Sequence, residues 1–366
     1  AESSRAASSP RVPPTAHAGL ESALQFKLRR RVSTAGHLGE LLPLAMRIGL
    51  LQHALRPRLR QPQLLLFVGD HGIAVDLNPP QHLSTTSMVH DVLENRVPLP
   101  LLAHQQGLSV SVVDAGLATP LPIGPGVISR KIAHGTRNSR LTAAMSLDQV
   151  NSAIRAGMEI AQALPGNVLG CAAIGVGARE SAALVIARVT GRPLHDLVYA
   201  GPKMRREELE HTLAVLQTAL NRHGTIEDPV QALATFGGFE MAMMVGAMLK
   251  AAEQRHLILV DGLPACAALL IATHIAGPVI DYCLFCRSTD HHGLDTALAG
   301  FESTALLALG LESLDGTGIT LSWPLVRAAA ALLTEVVDTV EPLPPSDEPE
   351  QTTPSADIDQ DYIRTP

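Results

Sequence analysis

The sequence predicts an α/β fold: a doubly wound parallel sheet with a small helical domain built from the terminal segments. Three observations lead there. Continuous apolar runs of strand length recur at residues 64–68, 168–174 and 257–260, the pattern of strands buried on both faces, and a further strand is expected over 108–113. Each run ends in a polar or glycine-bearing loop: Gly69-Asp70-His71-Gly72, Asp114-Ala-Gly, Gly175-Val176-Gly177 and Asp261-Gly262. Between the runs lie stretches with helical length and period, as βαβ units require.

Composition narrows the function. The 366 residues carry 46% hydrophobic and 17% charged side chains, ample for a packed core. A net charge of −7 and only 3% aromatics supply neither the basic field nor the stacking platforms that nucleic acid needs. No apolar run approaches the roughly 20 residues of a membrane helix, and the N-terminal AESSRAASSPRVPP lacks a hydrophobic signal core. The expectation is a cytoplasmic protein without membrane or nucleic-acid partners.

In chain order, residues 1–19 are Ser/Pro/Arg-rich and read as a disordered N-terminus. Segment 20–60 reads as two helices of the small domain, the second over 37–52 with one buried face. The α/β part spans 61–310. A single long helix is expected over 84–106, and a loop with a basic tip, Arg130-Lys131 and Gly135-Thr136-Arg137-Asn138, over 124–138. That tip either meets a phosphate or is a solvated loop. Further helices are expected over 147–164, 205–221, 265–275 and 294–309. Met241, Met243, Met244 and Met248 share a helix with small residues, a pattern of core or subunit contact. The run VIDYCLFC reads as a further strand, and its CxxC, Cys283 and Cys286, as buried structural thiols. Asp290, His291, His292 and Asp295 are potential metal ligands, but adjacent histidines in a loop make a poor set without a distant third ligand, and no metal is expected. Segment 311–340 reads as a turn followed by a last helix over 323–340, and 341–366 as an acidic, Pro-rich, disordered tail.

Ligands of open parallel sheets bind beyond the strand ends, so Asp70 and His71 are candidates by position; the plain alternative is a loop cap and a packed imidazole. The junction at 164–191 is a strand, a glycine turn and a helix start. Its unpaired N–H groups and positive dipole end suit a phosphate or carboxylate, although a tight βα turn would read the same way.

The ordered landmarks Gly36-x-Leu38-Gly39, Asp70-His71-Gly72, Gly135-Thr136-Arg137-Asn138, Gly175/Gly177, Gly237-Gly238-Phe239-Glu240, Asp261-Gly262 and Gly316-Thr317-Gly318 resemble those of the nicotinate-nucleotide–dimethylbenzimidazole phosphoribosyltransferases. The resemblance covers residues 20–340. It implies a Rossmann-like α/β domain, a homodimer, no metal or cofactor, and transfer of the phosphoribosyl group of nicotinate mononucleotide to a benzimidazole nitrogen. The products would be nicotinate and an α-ribazole phosphate, in the lower-ligand branch of cobalamin synthesis. It also implies site residues: Asp315 as catalytic base, and Asp70, His71, Gly175, Gly177, Arg179, Gly237, Gly238, Asp261, Gly316 and Gly318 around the substrates.

The chain departs from the family at predicted strand ends. Asp315 stands where the family carries glutamate, and Ala173 replaces a second one. Ala178-Arg179-Glu180 replaces Asn-Thr-Thr, Asn78-Pro79-Pro80 interrupts the loop after Asp70, Glu94-Asn95-Arg96-Val97 replaces Gly-Gly-Ala, and Cys286 to His291 replaces Ser-His-x-Ser-Ala-Glu. These losses leave a second reading open, a weak or inactive paralogue that binds nucleotide or pairs with an active homologue.

Overall fold

The computed structural model describes residues 10–336 except 199, 202 and 289–291, and not the side chains of 33–35 and 292. The acidic segment 341–366, residues 1–9 and the candidate ligands Asp290 and His291 lie outside the described residues. Residues 10–17, expected in the N-terminal tail, run along the protein: Val12 packs on the core and the Tyr282 hydroxyl donates to Pro13 O at 2.8 Å.

Two helices open the fold, α1 (Ala18–Ala35) and α2 (Leu41–Gln52). The second starts four residues later than its apolar face suggests, beyond Gly39 at φ 55°. Strand β1 (Gln63–Gly69) is wholly buried. The expected long helix is two, α3 (Thr85–Leu93) and α4 (Pro98–Gln105). Asn95 at φ 57° turns the chain, and Pro98 disfavours helix at the residue before it. Strand β2 (Ser109–Gly116) is followed by a short edge strand, β3 (Val127–Ser129), inside the segment expected as loop.

After α5 (Leu147–Ala163) come buried β4 (Val168–Ile174) and α6 (Ala178–Thr190). Helix α7 (Arg206–Arg222) precedes α8 (Pro229–Phe236), whose start signal is Asp228 capping Val230 N–H at 3.0 Å with Pro229 in the first turn. Helix α9 (Phe239–Glu253) holds the four methionines, all fully buried, so the stripe is core. Strand β5 (Leu257–Val260), α10 (Leu263–Ile275) and β6 (Cys283–Phe285) follow. The first part of VIDYCLFC is 3-10 helix, and all four cysteines are buried thiols. Helix α11 (His292–Gly300) stops well short of residue 309, and α12 (Thr317–Thr334) begins six residues before the expected start.

All pairings in the six-stranded sheet are parallel, in the order β3-β2-β1-β4-β5-β6. The chain builds outward from β1 to β3, then returns to β4 beside β1 and builds the other way. Between the C-terminal ends of β1 and β4 lies the switch point where such sheets hold ligands.

Helices α5 and α9 cross at touching distance. A Cβ on Gly157 would lie 1.9 Å from Met243 O, and one on Gly246 1.8 Å from Ile154 O. Neither helix can carry even a methyl group there without backbone movement. Gly246→Ala is expected to lower stability by about 1–3 kcal/mol, read from the urea midpoint; an unchanged midpoint would refute the close crossing.

Candidate active site

A cavity of about 690 Å³ opens at the switch point. Its floor is Ala173 and the turn Ile174 to Glu180, its far wall Ser313, Leu314 and Asp315, and Asn78, Pro79 and Pro80 face them. The departures at Asn78-Pro79-Pro80, Ala173, Ala178-Arg179-Glu180 and Asp315 thus lie on this surface, while Glu94 to Val97 and Cys286 to Ser288 do not line it. The N-terminus of α6 opens into the cavity, with Gly177 as its cap residue at φ 87°. The Thr85 hydroxyl accepts the Val176 N–H at 3.0 Å and holds the turn from the side of α3.

Asp315 is buried, and its Oδ1 accepts from two guanidinium groups, Arg179 Nη2 at 2.9 Å and Arg287 Nη2 at 2.9 Å. Its Oδ2 lies over Gly262, where a Cβ would come within 2.3 Å of it. Gly262, at φ 95°, has both the space and the left-handed backbone only glycine provides cheaply. Arg287 also donates from Nε to Asp261 Oδ1 at 2.8 Å and from Nη2 to Ser313 O at 3.1 Å. Asp261 Oδ2 in turn accepts the N–H groups of Gly316 at 2.6 Å and Gly318 at 3.0 Å. Burial pushes the Asp261 carboxyl up, against the pull of Arg287 and of these two N–H groups. The carboxylate at the end of β5 thus caps α12 from outside, satisfying orphan donors of its first turn. That is why the helix starts at Thr317: Gly316-Thr317-Gly318 looks like a turn until an external acceptor is supplied.

The sequence-predicted residues fall into two layers. Gly175, Gly177, Arg179 and Asp315 line the cavity. Asp70, His71, Gly237, Gly238, Asp261, Gly316 and Gly318 do not; they hold the residues that do. Asp70 Oδ2 accepts Ala118 N–H at 2.7 Å, and its carbonyl accepts Thr136 N–H at 3.0 Å. His71 is buried between Glu240 Oε1, 2.5 Å from Nε2, and Ser181 Oγ, 3.0 Å from Nδ1, under the first turn of α6. Gly237 ends α8, and Gly238 caps α9 over the His71–Glu240 pair. The basic tip points elsewhere: Arg130 pairs with Glu159 at 2.5 Å, and Lys131 with Asp114 at 3.2 Å.

Sequence reasoning missed Arg287 and Glu240 as site-building residues. An arginine directly after the apolar run Cys283 to Cys286, one strand over from Asp261, was the available signal for the first. Glu240 was visible as the one charge in the first three turns of an apolar helix.

A carboxylate opposite a helix N-terminus, across a cavity at the sheet's switch point, suits transfer chemistry on a phosphorylated sugar. A family model described as phosphoribosyltransferase matches residues 13–341, so the class is that of the phosphoribosyltransferases. A protein of Cupriavidus taiwanensis is 40% identical over 333 residues, covering 89% of this chain and 95% of its own. One of Dechloromonas aromatica is 40% identical over 327 residues, covering 87% and 93%. Both are named nicotinate-nucleotide–dimethylbenzimidazole phosphoribosyltransferase, as is a crystal structure from Thermus thermophilus that superposes with a TM-score of 0.79 at 27% identity, covering 86% of this chain and 95% of that one. The chain belongs to the nicotinate-nucleotide–dimethylbenzimidazole phosphoribosyltransferase family.

For His71, burial is the largest influence and disfavours the charged ring. Glu240, through charge and hydrogen bond, and then Asp70 and Glu180 together outweigh it, so the pKa is raised. A raised folded-state pKa gives stability that is full below the unfolded value, about 6.5, and fades as pH climbs through the folded value. Urea unfolding of the wild type is expected to weaken from about pH 6.5 upward, with a shallower slope in His71→Gln; equal slopes would show that the imidazole is neutral.

Proposed function

We propose that this chain moves the phosphoribosyl group of nicotinate mononucleotide onto a nitrogen of a benzimidazole-like base, releasing nicotinate and forming an α-ribazole phosphate for the cobalamin lower ligand. The observation that carries this reading is the pairing, across one cavity, of the α6 N-terminus with the Asp315 carboxylate. The helix end and Arg179 supply the positive field for the phosphate. Asp315 takes the proton.

The bond from C1′ to the pyridine nitrogen of nicotinate breaks, and the bond from C1′ to the azole nitrogen forms on the opposite face. As C1′ becomes electron-poor, carboxylates lining the cavity, Glu180 and Glu312 among them, stabilise it. The attacking azole becomes cationic unless its second N–H proton leaves, and that proton goes to Asp315. With Oδ1 bound by two guanidinium groups, Oδ2 above Gly262 is the oxygen left to receive it.

The same reading takes the enzyme as a cytoplasmic homodimer in which segments 20–60 and 311–340 form a small helical domain, as the family resemblance implies; a sedimenting mass of one chain would remove the dimer. Asp315→Asn keeps the size and both guanidinium contacts while removing the base. Nicotinate release, followed chromatographically with 5,6-dimethylbenzimidazole as acceptor, is expected to fall by about a hundredfold to ten-thousandfold in kcat. Undiminished turnover would end the role of Asp315. Wild-type protein that binds nicotinate mononucleotide without turnover would favour the inactive-paralogue reading, for which the doubly bound Asp315 and the bare Ala173 are the observations.

A further inference from the structure

At the opposite end of the sheet from the active site lies a second cleft, of about 1010 Å³. One wall is the loop before β1, with Arg56, Arg58 and Arg60; the other is the last half of α12, with Arg327, Thr334 and Glu335. All four arginines are exposed, and none makes an ion pair among the described residues. Arg56 donates to Thr334 O at 3.4 Å, capping the helix; Arg58 and Arg60 engage their neighbours through the backbone, at 2.9 Å to Gln52 and 2.8 Å to Asn167. Burial, and then the charge of Arg60, hold the pKa of His256 below its ordinary value. Four guanidinium groups facing one cleft, against the single carboxylate of Glu335, leave a surplus of positive charge in a protein of net charge −7.

The chain itself carries the complement. Segment 341–366 holds seven carboxylates and one arginine, Arg364. It follows directly from the cleft wall: Glu341 stands six positions on from Glu335, a span of at most about 21 Å. We propose that the acidic segment 341–366 docks in cis in the cleft of Arg56, Arg58, Arg60 and Arg327. Each exposed ion pair contributes little, about 0–1 kcal/mol. A tether this short presents the carboxylates at an effective concentration on the order of millimolar, so several weak pairs act together. A free acidic peptide lacks that advantage.

The test uses the full chain. Trp323, the chain's single tryptophan, sits one turn before Arg327 and is the energy donor; an acceptor dye is placed at the end of the segment through Pro366→Cys. The four native thiols are all buried, with Cys283 pushed up to about 12 by burial, so the dye goes to the new one. At 50 mM salt, transfer from Trp323 is expected to be at least twofold higher than in the same protein carrying Arg58→Glu and Arg327→Glu. In 1 M salt, where screening shrinks to about 3 Å, the unmutated cleft is expected to fall to the level of the double variant; this arm does not depend on the variant folding. Transfer indifferent to salt overturns the proposal. So does transfer that disappears on dilution into unlabelled protein, because the segment then enters a neighbour's cleft.

Discussion

The structure of the site hangs on one buried carboxylate. Asp261 follows β5, takes two N–H groups from the start of α12 and one from Arg287, and so fastens the last helix to the end of that strand. It anchors the turn 311–316 and the Asp315 it carries, together with the bond that Arg179 makes to Asp315 from the helix after β4. Arg287 completes the tie by bridging Asp261 and Asp315, two acids that would otherwise repel in a dry environment. In such a cluster the desolvation cost is high for every member, and removing one partner leaves the others charged and alone, a penalty on the order of 3–5 kcal/mol. Geometry follows from this balance of charge.

The layer beneath the cavity works in the same way with a different pair. His71 follows β1, Glu240 opens α9, and Ser181 belongs to the first turn of α6, so one imidazole fixes a strand end, a helix start and the floor of the cavity. Glu240 Oε2 has no partner among the described residues, although the group is fully buried. Such an orphan is costly in a core. Most of the residues named from sequence thus lie behind the cavity surface.

The strand positions were legible because a parallel sheet covered on both sides writes itself as uninterrupted apolar runs, and β1 and β4 stand where those runs stood. Helix limits were less legible where the deciding partner is remote. The start of α12 depends on an acceptor more than fifty residues away, and the division of α3 from α4 on a left-handed Asn95 that periodicity does not register. The edge strand β3 is three residues long, too short to show a pattern, whereas β6, equally short, showed as the end of the longer run VIDYCLFC. In the site, position at a strand end singled out Asp70 and His71 but could not tell lining from support, since that depends on which way a loop folds back.

The crossing of α5 and α9 bears on how such a chain can change. Each of its two glycines lies against the main chain of the opposite helix, so no side-chain substitution at one can be accommodated by trimming a side chain at the other. The pair is locked by geometry alone, whatever reaction the far end of the sheet performs. Selection can therefore rewrite the cavity, trading one acid for another or a polar cluster for an arginine, while the frame beneath stays frozen. A lineage that changed its chemistry would keep the signature of its ancestry in the helices, and lose it first around the substrate.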